Sequence, residues 1–184
     1  MGRIWLALIN WCVEAMRVKA ATPDDARSMA EVHVASWRAA YAGIVTAGYL
    51  AGLSVEQREV SWKRQLLEGV PQVLIARDGP GVIGFIAFGA CRDKEAPSSF
   101  AEIWAVYVLP SHWSLGVGRA LWLAARESLL DQGFAAVTLW VLALNARGIR
   151  FYSAAGFAVD PGSEKLFAST TRTWQKSDLS VKPP

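Results

Sequence analysis

Residues Val106-Tyr-Val-Leu-Pro-Ser-His-Trp-Ser-Leu-Gly-Val-Gly-Arg-Ala-Leu121 constrain the fold more than any other stretch of this chain. A β-branched and aromatic run ends at Pro110, the glycines Gly116 and Gly118 follow, and an amphipathic pattern begins directly behind them. Strand, short glycine loop, helix is a geometry for anionic ligands. The first N–H groups of a helix have no partners within it, and the helix dipole favours negative charge there. Glycines let that backbone approach a ligand closely. The expectation is a phosphate-bearing ligand, and the alternative is a tight strand-to-helix turn that holds nothing.

Two common phosphate loops do not fit. A dinucleotide loop needs a third glycine where Leu121 stands and an acidic residue about twenty positions on. Here the run Ala136-Val-Thr-Leu-Trp-Val-Leu142 leads to Asn145 instead. A Walker-type loop needs Lys and then Ser or Thr after its glycines, and Gly118-Arg-Ala lacks them.

The later segment Asn145-Ala-Arg-Gly-Ile-Arg-Phe-Tyr-Ser-Ala-Ala-Gly-Phe157 reads as an N-capping Asn, a helix bearing Phe151 and Tyr152, and a Gly156 stop before a strand. Together the two segments resemble the bacterial type of the GNAT family of N-acetyltransferases. Its acetyl-CoA loop runs Arg/Gln-x-x-Gly-x-Gly/Ala, and its later helix carries Asn…Phe-Tyr…Gly-Phe. Gly116 and Gly118 match the loop, and Asn145, Phe151, Tyr152, Gly156 and Phe157 match the helix. Arg17-Val-Lys-Ala-Ala-Thr-Pro-Asp-Asp25 resembles the family's first strand and its turn into helix one. Ser36-Trp-Arg-Ala-Ala-Tyr-Ala-Gly-Ile44 resembles its acceptor-side helix region.

The resemblance implies the acyl-CoA N-acyltransferase fold, an α/β architecture with a mixed central sheet of about six to seven strands and helices on both faces. It implies acetyl-CoA as cosubstrate, with no metal. The residues it points to are Val106, Tyr107, Val108, Trp113, Ser114, Leu115, Gly116, Val117, Gly118, Arg119, Ala120, Asn145, Arg147, Phe151 and Tyr152. Family members pair the pantetheine arm with the strand before the glycine loop, which makes the backbone of Val106 and Val108 the expected partner. One position departs from the family. The loop's first polar position falls on Trp113, followed by Ser114 and Leu115, so a side-chain donor and a positive charge are missing beside the pyrophosphate. Arg119 is placed to compensate. One such bond contributes about 1.5–3 kcal/mol, which leaves binding in the micromolar range.

Acetyl transfer to an amine requires a held and polarised thioester, a neutral amine, and a proton for the leaving thiolate. By the resemblance, Tyr152 takes the general-acid position, since a phenol with a pKa of about 10 is protonated at neutral pH. A packing role beside Phe151 is the plain alternative. Glu102 opens the strand before the loop, spaced from Trp113 like the catalytic glutamate of histone-type members. Strand alternation puts Glu102, Trp104 and Val106 on one face. It is read as the base, against a solvated strand-start residue with water chains taking the proton. Acceptor binding falls to Trp37, Arg38, Tyr41 and Trp104, with Ile44 and Tyr49 nearby. Trp37 and Tyr41 share a helix face, Arg38 suits an acidic group, and plain packing is again the alternative. His33 reads as a packing residue, and His112 as a seat for the loop.

At 184 residues the chain is one domain's worth. With 53% hydrophobic and 19% charged residues it is globular rather than disordered. The net charge of +3 is scattered, which argues against a nucleic-acid face while suiting an anionic cosubstrate. Nine tryptophans read as core or groove walls. Cys12 and Cys91 match no metal or redox spacing, and His33 and His112 are the only histidines. Ile4–Ile9 is too short to span a membrane, and Asn10-Trp-Cys-Val-Glu14 lacks a small-residue cleavage pattern, so a reduced, cytoplasmic setting is expected. Met16 reads as the natural start of the first strand. Residues 1–15 then form an extension, 16–178 a single domain, and 179–184 a tail. Trp5, Trp11 and Trp174 offer apolar surface for a homodimer.

A coarse pass places strands near 17–20, 72–77, 82–90, 100–109, 135–142, 157–159 and 166–175. It places helices over 23–40 and 55–67, from Val117 to Gly133, and after Asn145. The expected function is direct transfer of acetyl from acetyl-CoA to a primary amine of a small molecule or peptide, in a ternary complex. The alternative is a catalytically silent acyl-CoA-binding or regulatory domain.

Overall fold

Gly81–Ala90 is apolar at nearly every position and buried from Val82 to Phe88, the signature of a strand covered on both faces. It is β3, the third of seven strands in a computed structural model that describes residues 16–167 and 172–180, with side chains to residue 160. The others are β1 (Met16–Ala20), β2 (Gln72–Asp78), β4 (Phe100–Val108), β5 (Ala136–Leu142), β6 (Ala158–Phe167) and β7 (Arg172–Ser180). The sheet order is β1-β2-β3-β4-β5-β7-β6. Among the described strands only β4 and β5 run parallel, which makes the sheet mixed. The extension expected at residues 1–15 lies outside the described residues, as does most of the tail expected at 179–184.

The helices are α1 (Ala26–Ala40), α2 (Ala47–Ala51), α3 (Val55–Glu68), α4 (Val117–Asp131) and α5 (Ala146–Ala154). A 3-10 turn at Pro23–Asp25 leads into α1, where the Thr22 N–H and hydroxyl each donate to Asp25 Oδ2 at 2.9 Å. Ser54 caps α3 by accepting from the Gln57 N–H, and Gly69 ends it at φ 71°. α1 and α3 cover one face of the sheet through Met29, Val32, Trp62, Ile75 and Phe85. α4 covers the other through Leu121, Trp122, Leu129, Ile86 and Val137. The sequence pattern does not mark the five-residue α2; β6 is longer than the expected 157–159, and β7 begins at Arg172, later than the expected 166.

Two irregularities in β4 create the site. Ala87 pairs with Ala105 while Phe88 pairs with Ile103, so Trp104 is an extra residue without a partner on β3. A bulge of one residue reverses the alternation beyond it. Ala101 and Ile103 therefore face α4, and so do Val106 and Val108, whereas Trp104, Ala105 and Tyr107 face α1 and α3. The expectation that Glu102, Trp104 and Val106 share a face is corrected accordingly. The second irregularity is that β4 and β5 pair only from Phe100↔Ala136 to Ile103↔Leu139. Beyond that point β5 continues with β7, and the two strands part.

Candidate functional site

The gap between the parted strands opens into a cavity of about 340 Å³. Its walls come from β4, β5, α1, the β4–α4 loop, the first turn of α4 and the first two turns of α5. Leu109 donates its N–H to Ile83 C=O at 2.9 Å, which fixes the phase of the β3–β4 ladder. Main-chain groups alternate sides along an antiparallel strand, so those of Tyr107 and Ala105 point to β3 and those of Val106 and Val108 point into the gap. The Val108 carbonyl already accepts from Ser36 Oγ at 2.7 Å and from Trp113 Nε1 at 2.8 Å. The Val108 N–H and both main-chain groups of Val106 remain directed at the cavity.

Ser114 at φ 62° and Gly116 at φ 84° turn the chain sharply into α4. A Cβ is strained in that left-handed region, which accounts for the glycine at 116. Ala120 N–H is bonded within the helix, to Gly116 C=O at 2.9 Å. The N–H groups of Val117, Gly118 and Arg119 come before it and have no helical partners. At Gly118 a Cβ would stand 3.1 Å from Phe151 Cε2, so glycine here lets the first turn of α4 close on α5. Asn145 starts α5, its Oδ1 accepting from the Gly148 N–H at 2.9 Å.

Positive charge stands beside the loop from across space. Trp113 is pinned to the Val108 carbonyl, and the Arg147 guanidinium lies over its ring, 4.3 Å from the centroid. Arg147 and Arg119 both line the cavity. The other loop positions divide. Ser114, Gly116 and Gly118 line the cavity, but Leu115 is 67% exposed, Val117 is buried in the α4 core, and Ala120 lies off the cavity wall.

Tyr152 lines the cavity and packs against Phe151 and Phe157. Burial raises its phenol above the ordinary range, with a further push from neighbouring Tyr107. Burial likewise raises Tyr107 and Tyr41, so three tyrosines around the cavity stay protonated. For Tyr41 the Asn145 amide offsets part of the effect.

Glu102 is not brought into the cavity. It is 1% exposed, and its carboxylate accepts from the Arg92 N–H, Nε and Nη2. Of the expected acceptor-binding residues, Tyr41 and Trp104 line the cavity. Trp37 packs with Tyr41, Val45, Leu50 and Leu53 beneath it, and Arg38 donates to the carbonyls of Leu50 and Leu53 at the end of α2. The Arg38 fork is thus occupied by backbone rather than by an acidic group. His33 is sealed behind the wall, with Nδ1 accepting from Trp62 Nε1 at 3.2 Å and its ring 4.5 Å from that of Tyr107. His112 lines the cavity, its Nδ1 2.9 Å from Ser111 Oγ. Cys91 lies off the cavity wall, 3.7 Å from Thr138 Oγ1.

Ser36, Ala40, Ile103, Ala105, Trp140, Val141 and Gly148 also line the cavity and were not expected there. Most of them follow from the parting of β4 and β5. Among the described residues, no group of three or more His, Cys, Asp or Glu is placed to hold a metal, and no helix is long and apolar enough to cross a membrane.

Residues 32–157 match the acetyltransferase (GNAT) family. The chain is 37% identical over 138 residues to the uncharacterized N-acetyltransferase YuaI of Bacillus subtilis, covering 74% of this chain and 77% of that protein. A spermidine N(1)-acetyltransferase of Thermoplasma acidophilum is 26% identical over 154 residues, covering 79% and 90%. Among solved structures, the putative acetyltransferase YncA of Salmonella typhimurium with its cofactor acetyl-CoA shares the fold. Its TM-score is 0.68 at 22% identity, over 91% of this chain and 95% of that one.

Proposed function

The chain belongs to the GNAT acetyltransferase family, and on that premise we propose that it transfers acetyl from acetyl-CoA to a primary amine of a small molecule or peptide, by direct attack in a ternary complex. The observation that carries this reading is the parted strand pair. It turns the main-chain groups of Val106 and Val108 toward a cavity that the first turn of α4 and Tyr152 also line.

The residues present fit acetyl-CoA. An extended pantetheine arm needs a strand edge with unpaired donors and acceptors, and Val106 and Val108 provide one. A pyrophosphate needs convergent N–H groups, which Val117, Gly118 and Arg119 offer at a helix N-terminus. Arg147, held over Trp113, and Arg119 add charge-assisted bonds where the loop's own polar side chains are missing. When bound, acetyl-CoA supplies the activated thioester carbonyl.

The chain's own groups then have defined tasks. The Tyr152 phenol keeps its proton through the working pH range and donates it to the departing sulfur as the C–S bond breaks. The incoming nitrogen forms the amide bond and releases its proton to solvent, since Glu102 is occupied by Arg92. With Cys91 outside the cavity, no thiol among the described residues is placed for an acyl-enzyme.

A thiol-release assay with acetyl-CoA and a panel of primary amines tests the proposal, alongside calorimetric titration of acetyl-CoA. Amine-dependent release with micromolar binding is expected. Tyr152→Phe should slow turnover by about 10²-fold or more while leaving acetyl-CoA affinity within about twofold. Binding without turnover on any amine would mean a silent acyl-CoA-binding domain and would overturn the reading.

A further inference from the structure

We infer that the acceptor carries its amine on an apolar group of aromatic size and bears no second cationic centre. This rests on the acetyltransferase reading above and names the substrate class of that same cavity. The walls not used by the phosphate-binding residues are Tyr41, Trp104, Tyr107, Trp140 and Tyr152, with Ile103 and Val141 contributed by the α4-side core. Among the described residues lining the cavity there is no Asp or Glu. The charged side chains that do line it, Arg119 and Arg147, are both cations.

A polyamine or a basic peptide brings at least one ammonium besides the one that reacts. Inside such a cavity that ammonium loses water and meets no carboxylate among the described lining residues, which disfavours its entry. Glu102 does not help, because its carboxylate is held by Arg92. Nor do the rings form a vacant cage for a cation. The Arg92 guanidinium already lies over Trp104, 4.3 Å from its centroid, and His33 is packed against Tyr107 behind the wall. Asp93 and Glu95 line a separate depression beside the β3–β4 connection, with Trp140 as the wall common to both. An aromatic or bulky apolar monoamine, by contrast, replaces water against five rings, and aromatic pairs add stability beyond the area they bury.

The test compares initial rates of thiol release from acetyl-CoA with phenylethylamine, hexylamine, hexane diamine and spermidine at one pH and ionic strength. Phenylethylamine should show a kcat/KM at least about tenfold above spermidine, and hexylamine a similar margin over its diamine counterpart. Spermidine or the diamine turning over as well as the monoamines would overturn the inference and leave the acetyltransferase reading intact. Absence of release with every amine would sink that reading, and this inference with it. The same protein binding acetyl-CoA by calorimetry separates an inactive enzyme from a misfolded one.

Discussion

Two buried ionisable side chains near the cavity, His33 and Glu102, illustrate how burial assigns roles. His33 lies among Trp37, Trp62 and Tyr107, and burial, assisted by the charge of Arg58, lowers its pKa to about 3. The unfolded chain takes up this proton near the ordinary value of about 6.5, and the folded protein does not. Stability should therefore fall as pH drops from about 6.5 toward 3, by about 1.4 kcal/mol per pH unit from this residue alone. Urea unfolding of wild type and His33→Phe across that range checks it. The variant should lose this component of the slope, and identical pH dependence in both proteins would contradict it. Glu102, held by Arg92, has a structural role to test. Glu102→Gln should lower unfolding free energy, because Arg92 loses a charged partner, yet leave kcat within about threefold of wild type. A loss of kcat near 10²-fold with an unchanged fold would instead make it the base.

At the scale of elements, the coupling of loop to helix matters most. Trp113 belongs to the loop and Arg147 to the first turn of α5, and they meet ring to guanidinium. Arg147→Gln should weaken acetyl-CoA binding by about tenfold or more, the equivalent of one charge-assisted bond. Trp113→Leu should weaken it as well, because it releases Arg147 from its place. The double variant should lose less than the sum, with a coupling of about 0.5 kcal/mol or more in a calorimetric cycle. Strict additivity would show that the two act independently. The same scale separates what the sequence reveals from what it hides. The glycine loop, the Asn145 cap and the helix bearing Tyr152 are written in contiguous residues, so spacing alone locates them. The facing of Trp104 and Val106 is not, because one unpaired residue reverses every side chain beyond it. Arg38 and Trp37 lie off the cavity wall for a related reason. Their partners are α2 and its flanking loops, and a helix of five residues leaves too short a periodicity to read. The Arg147–Trp113 contact joins residues far apart in sequence and becomes visible only when α5 is folded against α4.

Across the whole molecule, the site is a consequence of how the sheet is wound. Antiparallel strands from β1 to β4 build one half, β5 to β7 the other, and a short parallel ladder of four residue pairs on β4 and β5 joins them. Where that ladder ends, main-chain groups face a cavity rather than a neighbouring strand, and in the proposed reaction a ligand's extended arm fills the gap. Hydrogen exchange read residue by residue, with and without saturating coenzyme A, measures this most directly. Added protection is expected at the amides of Val106, Val108, Val117, Gly118 and Arg119, with the β3-facing amides of Ala105 and Tyr107 unchanged. Protection elsewhere, with those five amides exchanging as before, would contradict it.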